Sequence, residues 1–532
     1  MTEANPSRQS PRPSMSPSNT TTTFEGTVVP GSVTPRSKEL YGTPTTGLSP
    51  ALTEKELEAH RLDVDEWAAD PANGRNWSQA RKWTATAIVS LYTFIPPLAS
   101  SMMAPGLSQV AIKYGITNEA LLSLTLSIFL LSFAIAPLIM APLSEIYGRN
   151  RILHAANLTS MVFSLGCAFA PNTGAFIALR FLAGISGSAP VAIGPGTVGD
   201  LFSERDRGSA LAVYSLGPLL GPAVGPVAGG FIAQYADIKF VFVAIAALCG
   251  AASLIGIPFL QETYAPVIQY RMAKKAGDTE KMARLRQEQT KGVTKAQFVW
   301  VNIKRPFIYT TRSLICFLFG LYMAVLYGCY YIMFATFAKF FRDTYGFEAG
   351  VGGLTYLGLG IGLFGATAFS GTVADRSYRW FSERNGGVGK PEFRIPALGP
   401  GVILAPIGLF WYGWSAAAPL HWIMPIIGTG IFGFGFMSIY VPMQLYLVDS
   451  FQYAASVSAA TAVFRSFLGF VFPLFGQDMN DDLGIGPANS LLGAVAIVLG
   501  IPFPLFIYFK GEKMRARNKY TAHSVKQSPE KH

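Results

Sequence analysis

Charge is what this 532-residue chain has least of: Asp, Glu, Lys and Arg together make up 14% of it, against roughly 25% in an average soluble domain. That shortage excludes an ordinary water-soluble globule, and the 50% share of hydrophobic residues and 13% of aromatics point the same way. Cysteine is scarce as well. Cys167, Cys249, Cys316 and Cys329 all lie inside hydrophobic runs, at spacings that fit neither a disulfide framework nor a metal site. No phosphate-cradling GxxxxGK[ST] occurs, and no nucleophile, base and orienting acid recur at a recognisable spacing. ATP-driven chemistry, hydrolytic catalysis, a resident metal and an organic cofactor are therefore not expected. Carboxylates are missing from the interior of every long hydrophobic run; Glu119, Asp200, Glu348 and Asp449 stand only at run ends. A dication such as a polyamine would find no counter-charge in such surroundings.

What is present is a series of apolar stretches of about 20 residues, the length that crosses a bilayer as a helix. Twelve are expected: Trp83–Ala104, Ala120–Leu143, Ile152–Ala170, Ala175–Val198, Ala210–Ala233, Phe240–Leu260, Ser313–Ala338, Gly350–Val373, Ile395–Ser415, Trp422–Tyr446, Ala454–Phe475 and Pro487–Phe509. The fold class is thus an all-α membrane protein. Residues 1–79, rich in Ser, Thr and Pro, read as a disordered tail without a cleavable signal peptide.

The net charge of +11 does not mark a nucleic-acid binder, because the basic residues concentrate in particular loops. The connector 261–308 alone carries Arg271, Lys274, Lys275, Lys281, Arg284, Arg286, Lys291, Lys295, Lys304 and Arg305. Arg149, Arg151, Arg205, Arg207, Arg376, Arg379, Arg384 and the Lys510–Arg517 segment fall on the same side when twelve spans are threaded. By the positive-inside rule that side, with both termini, is cytoplasmic. Six spans then lie in 80–260 and six in 309–509, followed by a cytoplasmic tail, 510–532. APLSEIYGR at the end of the second span and SGTVADRSYR at the end of the eighth align Glu145 with Asp375, as an internal duplication would.

In the first of these turns Glu145, Gly148, Arg149 and Arg151 place one acid and two bases between adjacent spans, with Asp375 and Arg376 as their echo. We read them as a conformational latch in which the carboxylate pairs with a base or a helix N-terminus in one state and releases it in another; the competing reading is a polar loop that merely obeys the charge rule. In the fifth span Gly217, Gly221, Gly225 and Gly229 recur every fourth residue and form a smooth stripe on one helix face. Pro218, Pro222 and Pro226 each remove a backbone hydrogen bond and allow that helix to bend, which makes it a candidate sliding seam.

These residues carry a resemblance. LSEIYGRNR resembles the loop signature of the major facilitator superfamily, in the form seen in fungal drug:proton antiporters. The likeness continues through DPANGRNWS, LRFLAGISG, GPLLGPAVGPVAGG, QETYAPVI and YLVDSFQYAASVSAATAVFRS, over about residues 65–515. Ala141 replaces a glycine usual in that loop, and Gly74 stands where proline is common. The resemblance implies twelve helices in two pseudo-symmetric six-helix halves, and the fifth-span motif is similar to one that marks antiporters, which implies export. It also implies a proton-coupling role for Arg180 in the fourth span.

Arg180 and Arg465 lie within spans and must face the interior or a wet cavity, since an Arg on lipid costs about 2.5 kcal/mol or more. Pairing of Arg180 with backbone carbonyls is the alternative to a functional role. His154 in the third span is the one other ionisable side chain available to carry a proton, although a neutral buried histidine is the commoner state. Tyr327 and Tyr331 in the seventh span, with Tyr440 and Gln444 in the tenth and Arg465 in the eleventh, are expected to line an aromatic cavity with a few polar handles. The expected function is secondary active efflux of lipophilic small molecules by a bilayer-embedded monomer that exchanges them for protons, at the plasma membrane or the vacuole. A passive facilitator and a receptor that binds without translocating are the competing expectations.

Overall fold

In a computed structural model, residues 67–518 are described apart from 204, 205, 291, 419, 452 and 453. Most of the amino-terminal tail, the last fourteen residues, Arg205 and Lys291 thus lie outside the described residues. Among those described, the regular structure is helical throughout, as it must be where the bilayer leaves backbone groups no water to bond. Twelve principal helices follow in order: α1 Gln79–Ser101, α2 Glu119–Tyr147, α3 Arg149–Ala168, α4 Thr173–Leu201, α5 Arg207–Tyr235, α6 Lys239–Phe259, α7 Leu314–Tyr345, α8 Tyr356–Arg384, α9 Gly399–Ala417, α10 Ile423–Ser450, α11 Ala454–Leu483 and α12 Ile485–Gly500, which continues past Ile501 as Pro502–Arg517. Local sequence sets several starts. Asn118 caps α2 by accepting from Leu121 N at 2.8 Å, and Asn172 caps α4 by accepting from Ala175 N at 2.8 Å.

Eleven helices among the described residues are long and apolar enough to cross a membrane. The remaining expected span, α3, is too polar to count among them. Its buried face carries Asn157, Ser160 and Ser164, and Asn157 Nδ2 donates to Cys249 O and Ser253 Oγ of α6, both at 2.8 Å. Polar side chains on α3 are thus spent on a neighbouring helix rather than shown to lipid. Several helices outrun their apolar stretches: α7 extends to Tyr345 where the sequence suggested Ala338, since charged residues such as Lys339 and Arg342 end beyond the apolar segment.

The packing repeats with an offset of six. α1 packs on α5, α2 on α4, α3 on α4 and α6; likewise α7 packs on α11, α8 on α10, α9 on α10 and α12. The two sets meet where α2 packs on α11 and α5 on α8, a pair of contacts that the same offset exchanges. The basic connector is not a loop. It forms three helices, Ala265–Ala276, Thr279–Thr290 and Lys295–Arg312, the last capped by Thr294 and packed on α2 and α11.

Candidate functional site

The turn between α2 and α3 is built around Gly148, whose φ of +104° suits glycine, and whose missing side chain leaves the first turn of α3 without a cap. Glu262, just after α6 and nine residues before Arg271 of the connector helix, supplies that cap. Its Oε1 accepts from Arg149 N at 2.9 Å and from Thr263 N and Tyr264 N at 3.2 Å. A Cβ on Gly148 would run into the Glu262 carboxylate. The Arg149 side chain reaches Asp200 at the end of α4 through Nε at 3.3 Å and Ser144 Oγ through Nη1 at 2.7 Å, and lies over the Tyr264 ring at 4.8 Å. Arg271 closes the network on Glu262 Oε2 at 3.2 Å. Burial pushes the Tyr264 hydroxyl up to about 12, so it meets these charges as a neutral phenol. Glu145 offers its carbonyl to Gln289 of the connector, and Arg151 is exposed.

The second half carries the counterpart. Asp375 of α8 accepts from Arg394 Nη1 at 3.2 Å, and Arg394 Nε donates to Asp449 at the end of α10 at 2.6 Å. Arg394 therefore stands between α8 and the end of α10, as Arg149 stands between the ends of α2 and α4. Arg376, the other residue of the second-half echo, is exposed. Close by, Arg515 on the extension of α12 holds Glu392 in a two-pronged pair at 2.7 and 2.6 Å, with both residues buried.

The α5 glycines face α1. Cβ atoms at Gly217, Gly221, Gly225 and Gly229 would meet the backbone of Ser90, Leu98 and Met102 or their neighbours, so the stripe lets α1 and α5 of one half approach closely. The seam between halves uses another face of α5, where Ala223, Pro226 and Gly230 meet Gly360, Gly353 and Ala349. Pro218, Pro222 and Pro226 lie inside a helix that stays continuous from Arg207 to Tyr235. Further cross-half contacts gather at the end away from Gly148. Lys339 of α7 pairs with Glu119 of α2 at 3.0 Å and with Asp481 of α11 at 3.8 Å. Arg342 bonds Ser108, and Gln234 bonds Glu348 and the Gly350 amide.

Between these two ends lies an aromatic centre. Tyr327 packs on Tyr331 with ring centroids 5.0 Å apart, Tyr330 stacks on Phe436 at 5.7 Å, and Phe436 stacks on Tyr440 at 6.4 Å. Arg465 from α11 places its guanidinium 5.0 Å from the Tyr327 ring and 5.2 Å from the Tyr440 ring. Gln444 donates to Thr461 Oγ1 at 3.3 Å. Tyr331 reaches the other half through Ser100 of α1 at 3.3 Å. Arg180 is fully buried nearby, donating to Ala99 O at 3.1 Å and Thr125 O at 3.3 Å while it lies over Phe129 and Phe242. Its Nη2 has no hydrogen-bond partner among the described residues. His154 lies apart from this centre, within the first half, with Nδ1 2.9 Å from the Tyr92 hydroxyl. The structure thus joins Tyr327, Tyr331, Tyr440 and Arg465 in one cluster.

Sequence reasoning missed the clasps' partners: Glu262, Arg394, Glu392, Arg515 and Lys339. Two signals were available. QETY places Glu262 just after α6, and the six-span offset aligns Asp200 in VGDLFS with Asp449 in LVDSFQ.

A model of the family described as Major Facilitator Superfamily matches residues 89–473. Among curated proteins, the chain is 40% identical to an MFS-type transporter, penM, of Penicillium rubens, over 92% of this chain and 97% of the relative. It is 43% identical to an efflux pump, vrtL, of Penicillium aethiopicum (85% and 90% covered) and 42% identical to the MFS transporter cpaT of Aspergillus oryzae (85% and 91% covered). Among solved structures, a D-xylose-proton symporter shares the fold with a TM-score of 0.58 at 14% identity, over 80% of this chain and 96% of that one. The Escherichia coli xylose transporter XylE in a partially occluded inward-open conformation gives 0.56 at 15%, over 80% and 99%.

Proposed function

The chain belongs to the major facilitator superfamily, and from that premise we propose that it is a secondary efflux transporter of lipophilic small molecules, either drugs or fungal secondary metabolites. Helices within 80–260 and 309–509 act as two bodies that rock about the aromatic centre, joined by the connector 261–308. The observation that carries this reading is the position of the cross-half bonds: the Lys339–Glu119 pair and the Gln234–Glu348 contact lie at one end, past the aromatic centre. Closure at one end leaves the centre to communicate with the other, which alternating access requires. With the basic turns cytoplasmic, the closed end faces outward, and the latch residues Glu145, Gly148, Arg149, Arg151, Asp375 and Arg376 regulate the inward end. Names of relatives as efflux pumps support the direction of transport.

Proton antiport is the driving reaction we propose, with Arg180 and His154 as its candidates at the plasma or vacuolar membrane. A passive facilitator is the second reading, favoured by the lack of any Asp or Glu in span interiors and by the engagement of Arg180 with two backbone carbonyls. Purified protein in sealed vesicles, assayed for movement of an aromatic probe with and without an imposed pH gradient, separates them. A gradient-dependent flux supports antiport, an indifferent flux supports facilitation, and no flux in either case sinks the transport reading.

A further inference from the structure

Arg465 differs from the other well-buried cations of this chain. Arg149 is given Asp200, Arg394 is given Asp375 and Asp449, Arg515 is given Glu392, and Arg180 is given two backbone carbonyls. Arg465, midway along α11, has neither. Among the described residues its Nε is buried without a hydrogen-bond partner, and the titratable groups around it are the phenols of Tyr327, Tyr331 and Tyr440, the last of which also interacts with the guanidinium as a hydrogen-bonding neighbour. The elements packed against it add no acid: α7 from Leu314 to Ala338, α10 from Ile423 to Val448 and α2 from Ala120 to Ser144 contain no Asp, Glu, Lys or Arg. Gln444, the nearest amide on α10, is turned to Thr461.

A guanidinium inside a bilayer without a counter-ion is costly, by about 2.5 kcal/mol or more. Aromatic faces recover part of that, on the order of 0.5–2 kcal/mol. They do not neutralise the charge. Beside it runs a stack of parallel rings, Tyr330 on Phe436 on Tyr440, with interplanar angles of 17° and 6°. A cation and a flat aromatic wall side by side form a two-part receptor.

We propose that the transported molecule is a planar aromatic anion, a carboxylate or acidic enolate, whose negative group pairs with Arg465 while its ring system lies along the Tyr330–Phe436–Tyr440 stack. The inference rests on the efflux reading above and narrows its substrate class. Its physical logic is complementarity: the ligand supplies the charge that the helices omit, and the guanidinium's fork accepts a carboxylate by two parallel hydrogen bonds. Because the cargo leaves as an anion, its exit moves negative charge outward, so an inside-negative membrane potential adds to the driving force of the proposed exchange.

The test uses the full chain and a matched pair of probes, 2-naphthoate and its neutral amide 2-naphthamide. Equilibrium binding is measured in detergent for the wild type, R465K, R465Q and Y440F, with folding checked by gel filtration and thermal melting. Naphthoate is expected to bind the wild type about tenfold tighter than the amide, a ratio worth about 1.4 kcal/mol. R465Q is expected to erase that preference and R465K to keep part of it. Equal binding of the two probes, a preference that survives R465Q, or no binding of either overturns the proposal; should R465Q not fold, R465K decides it by a reduced preference or an unchanged one, with Y440F, which keeps the ring stack, expected to retain the preference. In vesicles, naphthoate flux that responds to a valinomycin-set potential supports the proposal. Naphthoate that binds through Arg465 yet never crosses sinks the efflux reading and spares the anion site, whereas acid and amide carried alike sinks the anion site and spares efflux.

Discussion

Glu262 does at a distance what a Ser, Thr, Asn or Asp normally does next door: it satisfies the first backbone amides of a helix, here α3. Gly148 leaves that work undone and makes room for it, so the two residues act as one device. G148A places a β-carbon at a φ of +104° and into the Glu262 carboxylate. It should lower the thermal midpoint by an amount corresponding to about 1–3 kcal/mol, as should E262Q, which weakens the bond to Arg271. Because both act on one network, the double variant should fall well short of the sum; additive losses in a thermal-melt cycle would refute the coupling. The Arg515–Glu392 pair gives a second residue-scale test. R515M leaves a buried carboxylate without its partner and should cost about 3–5 kcal/mol, while R515M/E392M should recover most of that loss. Thermal melting in detergent reads both. The signature LSEIYGRNR announced a charged latch, but a local string names only the residues it contains. Asp200 and Glu262 come from 51 residues and 113 residues further on, and only the fold brings them to Arg149.

At the level of the helix, period is legible and partner is not. The four-residue spacing of glycines in α5 told that one face is smooth, yet the same spacing serves a seam between halves or a tight pair within one. The structure turns Gly217, Gly221, Gly225 and Gly229 to α1 and leaves Ala223, Pro226 and Gly230 to meet the second half. Rigid attachment of α5 to α1 makes α5 a carrier that transmits motion of its half, rather than the surface along which the halves slide. G225L, whose side chain would strike the Leu98 carbonyl and Ser101, should therefore lower the stability of the whole chain by about 1–3 kcal/mol or more. G360L, at the α5–α8 seam opposite Ala223, should leave the melt closer to wild type and slow transport more. Melting and vesicle flux measured on both variants check the pair; equal effects on both quantities would put the seam back on the glycine stripe. The third span teaches the converse lesson: α3 is polar because Asn157 is bound to α6, and a hydropathy window has no means of seeing that a polar atom is already satisfied.

For the whole molecule, the six-helix offset was visible in one pair of turns, Glu145 with Asp375, and the packing extends it to every major helix pair. Duplication also explains why the clasps correspond in place but not in charge. After the sixth helix an acid, Glu262, reaches back to the turn between the second and third, whereas beyond the twelfth a base, Arg515, reaches an acid, Glu392, in the turn before the ninth. Mirror positions with opposite signs cannot be found by aligning like with like. The clasps hold each half together; what holds the halves to one another is weaker. Lys339 sits between Glu119 and Asp481 with all three side chains partly in solvent, where each ion pair is worth about 0.2–1 kcal/mol. A weak tie is what a reversible gate needs, since it must break once per cycle. Removing the cross-half counter-charge in E119Q withdraws up to about 1 kcal/mol from the closed state, which multiplies the ratio of open to closed molecules by about five. Spin labels at Ile112 and Leu420, both exposed at that end, report the change as a longer distance component that grows in E119Q and, by screening, in the wild type at high salt. If the distance distribution of E119Q matches that of the wild type, the Lys339–Glu119 pair is ornament on a gate closed by the Gly230, Gly353 and Gly360 contacts instead.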